Sequence, residues 1–252
     1  MITTADTKAQ QDQLFVTGEL NDPVRDVLIL SSCRGVPHLN YLVRANRMLN
    51  LRWRITFINP CEFGTGPNGE QRDLRVELEA KQKDRRILKA LRDASLALVE
   101  HHENFGMFST SFTAPINIHK FGFTGTMVTI PSWHDVFLLV EDLVKYDRID
   151  EQDTDALIIR HRHHLNRFRR NCNLSYFDDV WRFFEANYQK VRMFHTFNHP
   201  ASALTLQIFK SAHSNLDLPP EFWAEAATED LFSSPQVVPT DRDRELFGFE
   251  WK

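Results

Sequence analysis

The chain has 252 residues, with 42% hydrophobic and 25% charged side chains, which fits a water-soluble α/β protein large enough for a sizeable core. Thirty basic and thirty-four acidic residues leave a formal charge of -4, so no nucleic-acid partner is expected. Three cysteines at wide spacing, with no C-x-x-C pair, argue against a disulfide framework and for a reducing compartment.

Residues 1–22 are polar and read as a flexible leader. They lack the basic start and apolar run of a secretory signal, and no apolar stretch is long enough to span a membrane, so a cytoplasmic location is expected. Val27 to Leu30 is a short apolar run of the kind that forms a strand buried on both faces. A polar turn follows, Ser31-Ser32-Cys33-Arg34-Gly35. Pro37 then suits the first turn of a helix, which Leu39, Leu42, Val43, Asn46 and Leu49 continue at helical spacing. Trp53 to Asn59 alternates and is rich in β-formers, giving a second strand. The loop after it contains Gly64, Gly66 and Gly69. They match a dinucleotide-binding pattern by letter, but Pro67 interrupts them and no acidic residue ends a later strand at the required distance. Asp73 to about Ala94 is charged and reads as an exposed helix. Ser95 to Val99 is a third strand running into Glu100, His101, His102 and Glu103. Thr126 to Ile130 is a further short strand.

Beyond Trp133 the pattern turns helical: Asp135–Tyr146, Glu151 to about Arg170, and a helix from Tyr176 that Ser175 would cap. Val191–Phe197 is β-rich, and Asn198, His199 and Pro200 lead into a helix over Ala201–His213. The last forty residues, with four prolines, read as an extended tail. The layout is therefore a parallel sheet flanked by helices, of the flavodoxin-like kind, followed by a mostly helical half. Residues 23–215 are expected to form one domain, with 216–252 packed on it.

Four groups of residues suggest chemistry. Cys33 lies in a turn between a strand end and a helix start, where a thiol is stabilised as thiolate and open sheets place ligands. The N–H groups of Arg34 and Gly35 offer an oxyanion hole, and Ser31 and Ser32 are rival nucleophiles. His102 and Glu103 follow the third strand and suit a base oriented by a carboxylate. His199 is a second candidate base. An ordinary helix cap accounts for Asn198 and Pro200 but leaves His199 unexplained. On the helix after Glu151, Leu157, His161, His164, Leu165 and Phe168 share one face. Arg160, His163, Arg167 and Arg170 form a basic stripe that could hold phosphates or simply face solvent. His161 and His164 have workable metal-ligand spacing, but no further ligand accompanies them and no metal is expected.

With Cys33 and the Asn198-His199-Pro200 segment in view, the chain resembles the WcbI family of capsular-polysaccharide biosynthesis proteins. That family carries a G-N-C-Q type turn, here Ser31-Ser32-Cys33-Arg34, and an N-H-P segment before a helix, here Asn198 to Pro200. The stretch DASLALVEHHENF resembles the family's strand with a polar end. The resemblance implies an α/β fold like that of the SGNH hydrolases, binding of coenzyme A or acetyl-CoA, and acyl transfer to a carbohydrate hydroxyl. It implies Cys33 and His199 in the site, with His102 and Glu103 as the other base set. Ser32, Arg34, Gly35, Asn198, Arg160 and Arg167 would then contact the cofactor. The other readings are an SGNH-like esterase using Ser31 or Ser32, and a ligand-binding relative without turnover. The acceptor, the acyl group and the oligomeric state are not readable from the sequence.

Overall fold

The computed structural model describes residues 24–31, 35–58, 85–100, 118, 122–131, 133, 136–196, 199–228 and 238–251. Its contacts divide the chain into two compact units, Met1–Ile130 and Pro131–Lys252.

The first unit holds a four-stranded parallel sheet flanked by helices. Strands β1 (Arg25–Leu30), β2 (Trp53–Ile58), β3 (Leu96–Glu100) and β4 (Thr126–Ile130) run in the order β2-β1-β3-β4. Leu28 pairs with Thr56 on one side and Ala97 on the other, which fixes the central register. Because β1 is covered on both faces, four of its six residues are apolar and buried rather than alternating. Leu28 and Leu30 pack with Ala97, Val99 and Leu91. Val27 and Ile29 are buried on the opposite side of the pleat. Helix α1 (Val36–Met48) starts with Pro37 in its first turn, as the sequence predicts. It is tied to β2 by Asn46, whose amide donates to the Trp53 carbonyl and accepts from the Trp53 N–H, both at 3.1 Å. Helix α2 (Arg85–Asp93) covers the last part of the stretch read as an exposed helix. Gly125, just before β4, is required by close backbone approach, since a Cβ there would sit 2.5 Å from the Ser95 carbonyl oxygen.

The second unit is mostly helical. It contains α3 (Val140–Asp147), α4 (Thr154–Leu174), α5 (Asp178–Asn187), α6 (Ser202–Ala212), α7 (Pro220–Thr228) and α8 (Asp241–Phe247). A small antiparallel pair, β5 (Phe194–Thr196) and β6 (His199–Pro200), lies between α5 and α6. Its core is aromatic: Phe168 packs edge-on against Phe184 at 4.9 Å, with Trp181 and Phe194 around them.

Three departures from the sequence reading have a clear cause in the fold. Helix α3 starts at Val140, five residues late, where the Val140 N–H donates to the carboxylate of Asp243 at 2.7 Å, a partner 103 residues away that local patterning cannot reveal. Ser175 closes α4 instead of opening the next helix; its N–H returns to Asn171 and Cys172, and α5 begins three residues later. The segment read as an extended tail contains α7 and α8. Pro220 occupies the first position of α7, where a missing N–H costs nothing. Thr240 and Asp243 form a reciprocal capping box for α8, and Gly248 ends it in the left-handed conformation.

Candidate functional site

In the order β2-β1-β3-β4, the chain leaves β1 toward one edge of the sheet and β3 toward the other. Such a reversal opens a crevice at the carboxyl ends of the two strands, where α/β sheets receive ligands. Among the described residues, those at these ends are Ser31, one position past β1, and Glu100, the last residue of β3. Ser31 Oγ donates to Glu100 Oε2 at 2.7 Å, and each residue is only 1% exposed. The hydrogen bond therefore spans the two strands at the switch point.

His38, in the first turn of α1, is fully buried beside them. Burial drives its pKa down to about 4, against the opposing pull of the Glu100 charge, so the imidazole is neutral at physiological pH. Gly35 completes the arrangement. A Cβ on it would stand 2.5 Å from Ser31 Cβ and 2.7 Å from Ser31 Oγ, and 3.0 Å from the Phe57 ring. Only glycine lets the start of α1 lie this close to Ser31 and Phe57. Gly35 also serves as the N-cap of α1 and brings no side chain to its first N–H groups, a geometry suited to anions.

The sequence reading included Gly35 here and missed Glu100 and His38. Both left a signal. Glu100 is an acid in the last position of a strand buried on both faces. His38 stands in the apolar stripe with Leu42 and Ala45. Ser32, Cys33, Arg34, His102, Glu103 and Asn198 lie outside the described residues.

The remaining predicted residues belong to the second unit. His199 starts β6, and its Nδ1 shares a 3.0 Å hydrogen bond with Thr196 Oγ1 across the small sheet. The N-cap of the following helix is Ala201, so the cap predicted at Asn198 falls three residues later. Arg160 is bound by both oxygens of Asp147, at 2.9 and 3.2 Å. That pairing raises the guanidinium pKa above its ordinary value. His164 Nε2 donates to the same carboxylate at 2.7 Å. Burial alone would raise the Asp147 carboxyl, but the hydrogen bonds and charges of Arg160 and His164 outweigh it and hold it low.

The buried face of α4 is the one the sequence indicates, with Leu157, His161, His164 and Phe168 all inside. His161 stacks on Phe247 at 4.0 Å and donates from Nδ1 to the Leu138 carbonyl; burial lowers its pKa to about 4. The two histidines thus serve different partners. Among the described residues no cluster of three His, Cys, Asp or Glu side chains is arranged to hold a metal ion. Cys172 is buried, and burial, reinforced by Asp179 and Asp178, raises its thiol pKa well above the ordinary value, so it is an unreactive core residue.

No protein-family profile matches the chain, and no curated protein matches it. A solved structure does. The fold is similar to that of WcbI, described as a novel polysaccharide biosynthesis enzyme, in its native form without a disulfide bond between coenzyme A and one of its cysteines. The superposition has a TM-score of 0.56, covers 91% of this chain and 81% of that one, and has 14% sequence identity. At that identity the likeness establishes a WcbI-like fold. Among the described residues no helix is long and apolar enough to cross a membrane.

Proposed function

We propose that the protein transfers an acyl group, acetyl in the simplest case, from a coenzyme A thioester to a hydroxyl of a sugar or polysaccharide precursor in the cytoplasm. The observation that carries this reading is the fold likeness over 91% of the chain to a polysaccharide biosynthesis enzyme whose description names coenzyme A. The buried Ser31–Glu100 pair with His38 supports it, because these residues gather at the carboxyl ends of β1 and β3, where open α/β sheets receive ligands.

In this reading Cys33 is either the nucleophile or a group beside the thioester, and His199 or His102 is the base, with Glu103 orienting it. In direct transfer the base takes the acceptor hydroxyl proton, the oxygen attacks the thioester carbonyl, and the coenzyme thiolate leaves and recovers the proton. In the two-step form the Cys33 thiolate attacks first and releases the coenzyme. The acceptor oxygen then displaces Cys33 from the acyl carbon. Ser32 and Asn198 contact the acyl donor, Gly35 contributes its backbone N–H, and Arg34 and Arg167 meet the phosphates. Arg160 would have to leave Asp147 to join them. An esterase using Ser31 is not favoured, since that hydroxyl is buried and commits its proton to a carboxylate.

The test is a thermal shift with coenzyme A and acetyl-CoA, followed by intact mass after acetyl-CoA exposure. Stabilisation by both ligands is expected, with acetyl transfer to a sugar panel abolished in His199→Ala or in a matching His102→Ala. An acetyl adduct lost in Cys33→Ala establishes the two-step form. Absence of any shift with either ligand overturns the proposal, and binding without acetyl consumption across the panel identifies a non-catalytic binder.

A further inference from the structure

The small sheet that carries His199 is irregular in a way that decides what faces its ring. Strands β5 and β6 pair Phe194 with Pro200 and Thr196 with His199. A regular antiparallel ladder continued from Phe194 and Pro200 would set His195 opposite His199. Strand β5 instead has one extra residue there, a β-bulge that takes His195 out of that place and brings Thr196 into it. His195 is buried, at 1% exposure, whereas Thr196 and His199 are both half-buried. The far end of the pair is pinned to the core. Phe194 packs edge-on against Phe168 and Phe184, and the Ala201 N–H donates to the Met193 carbonyl at 2.9 Å.

The bulge brings two polar side chains together. His199 Nδ1 and Thr196 Oγ1 stand 3.0 Å apart. That is the usual spacing of an N–H donor on oxygen, whereas a hydroxyl donor closes to about 2.7–2.8 Å on an oxygen acceptor. The spacing therefore gives the shared proton to Nδ1, with Thr196 accepting it. In a neutral imidazole a proton on Nδ1 leaves the lone pair on Nε2, so the bond at one nitrogen sets the chemistry of the other. Among the described histidines, His199 alone combines partial exposure with a ring nitrogen held by a side-chain hydroxyl: His38, His161, His164, His195 and His213 are buried, and His163 lies exposed on α4.

We propose that Thr196 is the positioning residue of the base: it accepts the Nδ1 proton of His199 and so presents the Nε2 lone pair to the acceptor hydroxyl. This rests on the acyl-transfer reading with His199 as its base. Nε2 takes the hydroxyl proton as the acceptor oxygen attacks the thioester carbonyl, and returns it to the coenzyme thiolate as the carbon–sulfur bond breaks. The Nδ1 proton stays between His199 and Thr196 throughout. Threonine suits this place because branching at Cβ restricts its first torsion and keeps the hydroxyl aimed.

The test reads the ring first and turnover second. In the full-length protein with isotope-labelled histidine, long-range proton–nitrogen NMR spectra at about pH 8, where an ordinary imidazole is neutral, report which nitrogen carries the proton. The His199→Gln spectrum identifies the signal by its loss. The unaltered protein should show the Nδ1–H form, a reading that needs no variant of Thr196. Thr196→Val keeps the shape and loses the hydroxyl, and should move the ring toward the Nε2–H form. Thr196→Ser should move it back. With acetyl-CoA and a sugar acceptor, Thr196→Val should lower kcat about fivefold, the worth of one neutral hydrogen bond, while KM for either substrate stays within about twofold. Thr196→Ser should recover most of the loss, and circular dichroism melts check that both variants fold.

An Nε2–H ring in the unaltered protein overturns the proposal. So does a ring that Thr196→Val leaves unmoved, and so does full kcat in a variant whose ring has moved. The two readings fail separately. Transfer by the unaltered protein with an unmoved ring in Thr196→Val overturns the assignment of Thr196 alone. Absence of transfer to any acceptor, with the spectra as expected, overturns the base role together with the acyl-transfer reading.

Discussion

The two units bury polar side chains in opposite ways. In the first unit the parallel ladder satisfies the backbone of β1 and β3, the strand interiors are aliphatic, and Ser31 and Glu100 gather where the strands end. In the second unit α4 carries His161 and His164 into an aromatic core on the same stripe as Leu157 and Phe168. A strand can hold its polar residues at its tip, whereas a long helix presents every third or fourth residue to the core and must find each polar one its own partner. His161 has the Leu138 carbonyl and His164 has Asp147. The first unit concentrates polar groups at the carboxyl ends of its strands; the second disperses them as internal braces.

Core truncation gives the largest effect and tests the contrast in packing. Phe168 is fully buried among Trp181, Phe184 and Phe194, so Phe168→Ala should cost about 3–5 kcal/mol. Leu98→Ala in β3, also fully buried, is expected to fall at the lower end of the ~2–5 kcal/mol range for aliphatic truncations, since it removes a smaller side chain than Phe168→Ala does. Urea denaturation of both variants measures the difference. A larger loss in Leu98→Ala would reverse the comparison.

Acid should separate the two units next. His38 has a folded pKa of about 4 against an ordinary 6.5, so the unfolded chain binds a proton that the folded unit refuses. Its contribution is complete above pH 6.5 and is lost as pH falls toward 4, by about 3 kcal/mol in all. The second unit contains the same liability in His161, also at about 4. There Asp142 opposes it: raised from 3.8 to about 6, it takes up a proton on folding and stabilises the unit as pH falls through the same range. Asp147, held low, acts only below that range, where its contribution disappears on protonation. Hydrogen exchange across the acid range should therefore show the first unit loosening while the second holds. His38→Gln should remove the first unit's acid loss, and Asp142→Asn should expose one in the second. Equal loosening of both units in the unaltered protein would refute this account.

Gly35 is a test of the crowded end of the sheet. Gly35→Ala forces Ser31 or Phe57 to move and should cost about 2 kcal/mol, measurable as a drop in melting temperature. Gly248→Ala is a useful partner. An alanine there must adopt φ 73°, but the atom its Cβ would meet is the end of the Gln189 side chain, which can swing aside, so its cost should be the smaller of the two.

The legible parts of the molecule were those set by local periodicity. The apolar run at Val27–Leu30, the alternation at Trp53–Ile58 and Pro37 before Leu39 each determine a segment by themselves, and the parallel sheet follows from their alternation with helices. The buried stripe of α4 was equally plain from its spacing. What escaped depends on partners distant in sequence. Glu100 is met by Ser31 from 69 residues away, and Asp243 sets the start of α3 from 103 residues away. Arg160 reads as a free surface cation until Asp147, on the preceding helix, is seen to hold it. Asp142 looks like any acidic residue in a first turn, and only the surrounding rings make it unusual.

The smallest expected effect concerns helix ends, where the units also differ. Helix α1 starts on Gly35 and has no side-chain cap there, whereas α8 starts on Thr240 with a complete capping box. Removing the Thr240 hydroxyl takes away an acceptor for the Asp243 N–H and a donor to the Asp243 carboxylate. Thr240→Ala should therefore cost about 1 kcal/mol, the usual value of an N-cap. Thr240→Ser keeps the hydroxyl and should recover most of it. Asp243→Asn is the sharper partner, because that carboxylate also accepts from the Val140 N–H at the start of α3. An amide retains one oxygen for three donors, so it must abandon at least one of the two helix starts. Its loss should exceed that of Thr240→Ala and spread, in hydrogen exchange, from α8 to the first turn of α3. If protection changed in α8 alone, Asp243 would be an ordinary cap, and the late start of α3 would need another cause.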